Sequence, residues 1–237
     1  MIKIFLGILV LMIIAIVIIM IVKLVNNTGE NSGMVLHKFD VKNFNINKIY
    51  EFEDFLTSEE CEILIQKAEP KIKASSVICK DGKNCVDTNY RTSEHAFLKD
   101  NEAEACKKIT QKIVDILGVK SETFEDLQVV RYEPHQQYKE HWDNCVGDEQ
   151  RCESFFKRGG PRYATFLVYL NDGFKGGETH FPKKNVYIKP VKGKAALFFN
   201  LEEDNKTTLN GSLHAGLPPK DGKKWLANKW IRMEKFI

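Results

Sequence analysis

The pattern of hydrophobic and polar positions changes character along the chain. From Ile4 to Val22, 19 residues pass without a charge, nearly all of them Ile, Leu, Val or Met, between Lys3 and Lys23. At a helical rise of about 1.5 Å per residue, such a run matches the hydrocarbon thickness of a bilayer. A cleaved leader would have a shorter apolar region closing in small residues, whereas this one closes in Lys-Leu-Val-Asn-Asn. Residues 1–25 are therefore expected to form an uncleaved transmembrane anchor. The polar, glycine-containing residues 26–34 read as a linker, and residues 35–237 as one folded domain.

Within the domain, helical periodicity comes first. Thr57 and Glu60 make a capping box ahead of Cys61, Ile63, Leu64 and Ile65, in a helix that Pro70 ends. Ala105, Ile109, Ile113 and Leu117 recur at helical spacing and Gly118 follows as a stop, which predicts a second helix. Beyond Gly118 the pattern turns to short β-rich runs between Gly, Pro, Asn and Asp: residues 127–132, 163–170, 185–190, 195–200 and 227–233. Helices followed by strands predict an α+β domain with a β-sandwich or jelly-roll half. Residues 74–93 read as a long exposed loop, the kind of segment that carries substrate contacts.

Charge narrows the partners. Thirty-five basic residues nearly balance 32 acidic ones, the net charge is +3, and there is no long basic run, so no nucleic-acid partner is expected. The six cysteines form no C-x-x-C pair, which argues against a zinc ribbon or a thioredoxin-like site. Cys79 and Cys85, and likewise Cys145 and Cys152, bracket short polar segments. They would close disulfide loops in a lumenal or extracellular domain and stay free thiols in a cytosolic one. Asn-x-Thr/Ser sites at Asn26, Asn205 and Asn210 suit a lumenal chain. The charges flanking the apolar run, Lys3 against Lys23, Lys38 and Lys42, do not decide which side receives the domain.

Candidate chemistry centres on Tyr138 to Asp143, a segment rich in strand formers. Residues i and i+2 of a strand share a face, so His141 and Asp143 are expected side by side. An imidazole and a carboxylate joined by one further histidine make the facial triad that holds non-haem Fe(II) and leaves positions open. Among the other histidines, His37 lies near the linker, His95 in the helical half, His135 in a surface turn and His180 just after a Gly-Gly-Glu-Thr turn. His214 is best placed by sequence, because Lys224 follows it ten residues later. A lysine there offers a compact cation for the C5 carboxylate of 2-oxoglutarate.

Several ordered motifs carry a resemblance. His141-Trp142-Asp143, Gly176-Gly177-Glu178-Thr179, residues 189–199, His214-Ala215-Gly216-Leu217-Pro218 and Lys224-Trp225 together resemble the prolyl 4-hydroxylases, over about Phe52 to Arg232. The resemblance implies a double-stranded β-helix (jelly-roll, cupin-like) core and the cofactors Fe(II), 2-oxoglutarate and L-ascorbate. It implies that His141, Asp143 and His214 ligate iron, that Lys224 and Tyr132 hold the 2-oxoglutarate carboxylate, and that Thr179 lines the same pocket. Arg91, Ser93, Tyr138, Arg162 and Trp230 match positions that contact a peptide. The family usually has a glycine soon after Arg-x-Ser, where this chain has Glu94-His95-Ala96, so the detail of peptide recognition differs. The expected reaction is 4-hydroxylation of peptidyl proline in proline-rich or collagen-like substrates, which are preorganised as PPII helices. The same chemistry on lysine, and a silent module that binds proline-rich chains, are the alternatives. The expected location is a membrane of the endoplasmic reticulum or of host origin, with the catalytic domain lumenal.

Overall fold

The computed structural model describes residues 44–79, 83–147 and 149–237. The expected anchor, the linker and His37 lie outside the described residues. Among the described residues no helix is long and apolar enough to cross a membrane.

The two expected helices form where capping and periodicity place them. β1 (Tyr50–Phe52) leads into α1 (Ser58–Ala68), whose capping box is complete: Glu60 N–H donates to the Thr57 hydroxyl and Thr57 N–H to the Glu60 carboxylate. Later, α2 (Glu104–Leu117) buries Ala105, Ile109, Ile113 and Leu117 and stops at Gly118, which adopts a left-handed φ of 68°. Helix α1 packs against a larger sheet and against α2.

That sheet has seven antiparallel strands in the order β1-β11-β8-β13-β6-β5-β2. Its further members are β2 (Lys73–Ala74), β5 (Glu94–Leu98), β6 (Leu127–Tyr132), β8 (Arg162–Tyr169), β11 (Ala195–Phe199) and β13 (Lys224–Arg232). A four-stranded antiparallel sheet, ordered β10-β9-β12-β7, comprises β7 (Tyr138–His141), β9 (Thr179–Phe181), β10 (Val186–Ile188) and β12 (His214–Gly216). A core cluster joins the sheets, with Val130, Tyr132, Leu167, Tyr169, Phe198 and Leu226 from the larger one meeting Phe181 and Ile188 from the smaller. On the opposite face of β8, Phe166 stacks on Phe52 and Phe55, each at 5.8 Å between ring centroids. Strand β8 is thus buried on both faces, which is why it reads as a largely apolar run rather than an alternation. The arrangement is β-rich and jelly-roll-like.

Some boundaries differ from expectation. The run at 185–190 is a strand only over Val186–Ile188, because Asn185 takes a left-handed φ of 52°. The last strand begins earlier than expected, since Lys224 already pairs with Tyr132. His95 belongs to strand β5 and not to a helical half, facing Lys73 and Val130 across the ladder. Nor is 74–93 simply an exposed loop. It contains the hairpin β3 (Val77–Ile78) and β4 (Asn84–Cys85), and Ser75, Arg91 and Ser93 are buried because they satisfy one another: Arg91 Nε donates to Ser93 Oγ, which hydrogen-bonds Ser75 Oγ. Disulfides join Cys79 to Cys85 across that hairpin and Cys145 to Cys152, the latter on α3 (Glu149–Phe156). Cys61 and Cys106 are buried free thiols.

Candidate metal centre and its pockets

Strand pairing brings two histidines together. His141 ends β7 and stands directly opposite His214 at the start of β12, with ring centroids 4.2 Å apart. Asp143 joins them by a route other than the expected strand alternation, since β7 has ended and the chain bends. The bend is held by Asn144, whose side chain accepts from Arg162 N–H (2.7 Å) and donates to Arg162 C=O (3.1 Å). Asp143 Oδ1 consequently lies 3.8 Å from His141 Nε2 and 3.9 Å from His214 Nε2.

The surrounding bonds aim these atoms at a common point. His141 Nδ1 lies 2.7 Å from Lys139 C=O and His214 Nδ1 2.9 Å from Ser212 C=O, so each Nδ1–H is committed to a carbonyl and each Nε2 is the ring nitrogen turned toward the cluster. Thr165 Oγ1 donates to Asp143 Oδ2 at 2.6 Å and accepts from Asn200 Nδ2 at 2.9 Å. Burial and the neighbouring His214 push the His141 imidazole well below its usual value and keep it neutral, the form that binds metal. Burial alone would raise the Asp143 carboxyl, but His214, His141, Arg162 and the Thr165 hydroxyl outweigh it and hold it down to about 2. Two imidazoles and a carboxylate, with ligand atoms within 4.8 Å of one another, fit a divalent metal that prefers mixed N and O donors. His180 stands apart from this cluster, stacked on Tyr187 at 4.0 Å, and His135 is exposed in a turn.

Behind the cluster lies a buried cation. Lys224 is fully enclosed, its Nζ has no hydrogen-bond partner among the described residues, and desolvation pushes it down to about 7, against a weak opposing pull from Glu178. Its Nζ sits 4.8 Å from the Tyr132 ring and 5.9 Å from the Tyr169 ring. Such an ammonium is costly to bury alone, a cost that an anion beside it would offset. Thr179 Oγ1 accepts from Tyr169 O–H at 2.7 Å, and Tyr169 is a member of this pocket that the motifs did not single out. Glycines open the space: a Cβ at Gly216 would meet the Tyr132 hydroxyl at 2.9 Å, and one at Gly177 would meet Lys224 Cδ at 3.2 Å.

In front of the cluster opens a cavity of about 950 Å³ lined by Arg91, Tyr138, Trp142, Arg162 and Trp230 among others. Tyr138 stacks on His141 at 3.4 Å, and the Arg91 guanidinium lies over Tyr138 at 4.5 Å. Ser93 is not exposed to the cavity but anchors Arg91 from behind. Arg162 is fixed on all sides: two bonds to Glu125 (2.6 and 2.9 Å), one from Nη1 to Asp143 C=O (3.0 Å), and the Trp230 ring at 3.5 Å. It braces the bend that carries Asp143 as well as lining the cavity. Glu125, Thr165 and Asn200 were missed from sequence. An isolated Glu between predicted elements, or a Thr within a long apolar strand, was the only signal available.

Residues 127–232 match the profile of the 2OG-Fe(II) oxygenase superfamily. A protein of Acanthamoeba polyphaga mimivirus described as a prolyl 4-hydroxylase is 37% identical over 190 residues, covering 80% of this chain and 76% of its own. Prolyl 4-hydroxylase 1 of Arabidopsis thaliana is 37% identical over 204 residues, covering 79% and 69% respectively. Among solved structures, the viral collagen prolyl hydroxylase of Paramecium bursaria Chlorella virus-1, in complex with 2-oxoglutarate, aligns with a TM-score of 0.60 at 33% identity over 77% of this chain and 94% of that one.

Proposed function

The chain belongs to the prolyl 4-hydroxylases of the 2OG-Fe(II) oxygenase superfamily, and on that premise we propose that it hydroxylates C4 of proline in proline-rich or collagen-like peptides, consuming O2 and 2-oxoglutarate and releasing succinate and CO2. His141, Asp143 and His214 hold the iron, and Lys224 with Tyr132 takes the distal carboxylate of 2-oxoglutarate beside Thr179. When bound, the iron and its cosubstrate supply the oxidising chemistry. The chain's own residues bind, orient and shield. The carbonyls of Lys139 and Ser212 fix the imidazole tautomers, Thr165 and Asn200 fix the carboxylate rotamer, and Arg162 holds the bend. Tyr132, whose hydroxyl burial pushes above its ordinary value, stays protonated and can donate to a carboxylate. Tyr138, Arg91 and Trp230 form the cavity wall against which a proline ring can pack next to the cluster.

The observation that carries this reading is the convergence of two imidazole Nε2 atoms and one carboxylate oxygen beside a buried ammonium with no partner among the described residues. His141→Ala, Asp143→Ala and His214→Ala are each expected to abolish peptide-dependent succinate release while leaving the thermal unfolding profile cooperative. A variant with full turnover would remove that residue from the ligand set. The same assay separates the alternatives: tight peptide binding without succinate points to a silent module, and hydroxylation mapped by mass spectrometry to lysine points to another side chain. Ascorbate belongs to the proposal as the reductant that sustains turnover. So does a membrane-anchored domain facing a lumen, which is supported by the apolar run at residues 4–22 and the two disulfides.

A further inference from the structure

The cavity in front of the metal cluster carries a charge imbalance. Among the described residues lining it, Lys73, Arg91, Arg151, Arg158 and Arg162 are cationic, and only Glu125 and Asp143 are carboxylates. Both carboxylates are already engaged. Glu125 accepts from Arg162 and from the buried Arg232, and Asp143 faces two imidazoles and the Thr165 hydroxyl. Arg91 donates to the neutral oxygens of Ser93, Ser76 and Gln128, which orient its guanidinium without cancelling its charge. Lys73 and Arg158 are exposed, Lys73 directly across the ladder from His95, and Arg158 over the Phe236 ring at 5.0 Å. The field of these cations is felt locally. Burial first, and then Arg91 and Lys73, push the His95 imidazole down to about 4.

Resting on the reading of this site as a prolyl hydroxylase, we propose that the groove selects peptides in which the target proline is flanked by acidic side chains, with Lys73 and Arg158 as the charge-reading residues. A PPII peptide without charges packs on the aromatic walls but gains nothing from the cations. One carrying Asp or Glu near the proline is drawn in by the field and forms ion pairs at the exposed edge, an attraction that salt weakens.

The test uses the full chain in detergent with Fe(II), 2-oxoglutarate and peptides of equal length whose single proline is flanked by Glu, Ala or Lys. The expected order of kcat/KM is Glu above Ala above Lys, with a Glu-to-Lys ratio on the order of tenfold at low salt, as two exposed ion pairs allow. That ratio should shrink toward unity in about 0.5 M NaCl. K73E/R158E should invert the order and K73Q/R158Q should flatten it. Because each protein is its own reference, partial loss of folding does not mimic the result. Equal kcat/KM for all the peptides, or a ratio that neither variant changes, would overturn acidic selection. Failure to hydroxylate any of them would instead overturn the functional reading beneath it.

Discussion

An ammonium sealed from water with no partner among the described residues is held down to about 7, so at neutral pH Lys224 carries its charge only part of the time. A carboxylate pairs with the charged form. Below about pH 7 that form is already present and binding needs no proton, whereas above it each binding event must take one up. The KM for 2-oxoglutarate should therefore be flat below about pH 7 and rise by up to about tenfold per pH unit above it, until the pKa of the complex is reached. Lys224→Arg, which stays charged, should flatten that profile, and Lys224→Ala should raise KM at every pH. A flat profile in the unmodified enzyme would remove the carboxylate role. Thr165 gives a second prediction at this scale. Thr165→Val deletes the donor to Asp143 Oδ2, and metal affinity should fall about 10- to 100-fold, as read by Fe(II) titration under anaerobic conditions. The contrast between these residues explains what sequence makes legible. His141, Asp143, His214 and Lys224 are visible because the metal and carboxylate chemistry proposed for them admits few residue types at fixed order. Thr165 and Asn200 act through a hydrogen bond between neighbouring strands, and nothing in their spacing announces it.

The elements with a sustained apolar pattern or a capping signal were the most legible. Helix α2 repeats its apolar face over several turns and α1 carries a capping box, so both could be read directly, as could the long strands β6, β8 and β11. Strands β7, β9 and β12 of the smaller sheet are too short to show a period, and they hold both histidines of the cluster and Thr179. Their register, His141 opposite His214, is a long-range pairing set by packing. Asp143 makes the same point: strand alternation placed it beside His141 for the wrong reason, and the bend held by Asn144 brings it there instead. The turn into β9 offers a test at this scale. Gly177 has a φ of 74°, and a Cβ there would meet the Phe174 ring at 2.7 Å as well as Lys224 Cδ. Gly177→Ala should lower stability by about 1–2 kcal/mol from the backbone alone. It should also raise the KM for 2-oxoglutarate, because the Phe174 ring or the lysine must shift. Chemical denaturation and steady-state kinetics on one preparation would separate these effects, and an unchanged KM would show that the turn supports the fold without shaping the pocket.

At the scale of the whole molecule, the two ends of the described chain both join the larger sheet, through β1 and β13. Phe44, the first residue described, packs on Tyr50 at 4.8 Å and on Phe199 at 5.9 Å between centroids, so β1 and β11 are covered at that end. The other end of the sequence supplies β13, which lies between β8 and β6 inside the larger sheet and carries both Lys224 and Trp230. Trimming from the C-terminus would remove the site, whereas trimming before residue 35 should leave it whole. A chain beginning at residue 35 is accordingly expected to be soluble and to melt as cooperatively as the full chain. Its kcat/KM on a neutral proline peptide should match that of the full chain in detergent. The full chain, carrying the apolar run at residues 4–22, should stay with membranes through alkaline carbonate extraction. Release into the carbonate supernatant would remove the anchor, and failure of the shorter chain to fold would remove the domain boundary. Sidedness then follows from Asn205 and Asn210, both exposed in the region before β12. If the domain is lumenal, translation into microsomes should add glycosidase-sensitive mass that Asn205→Gln with Asn210→Gln reduces. A domain left outside the microsomes would gain no mass and would be digested by added protease.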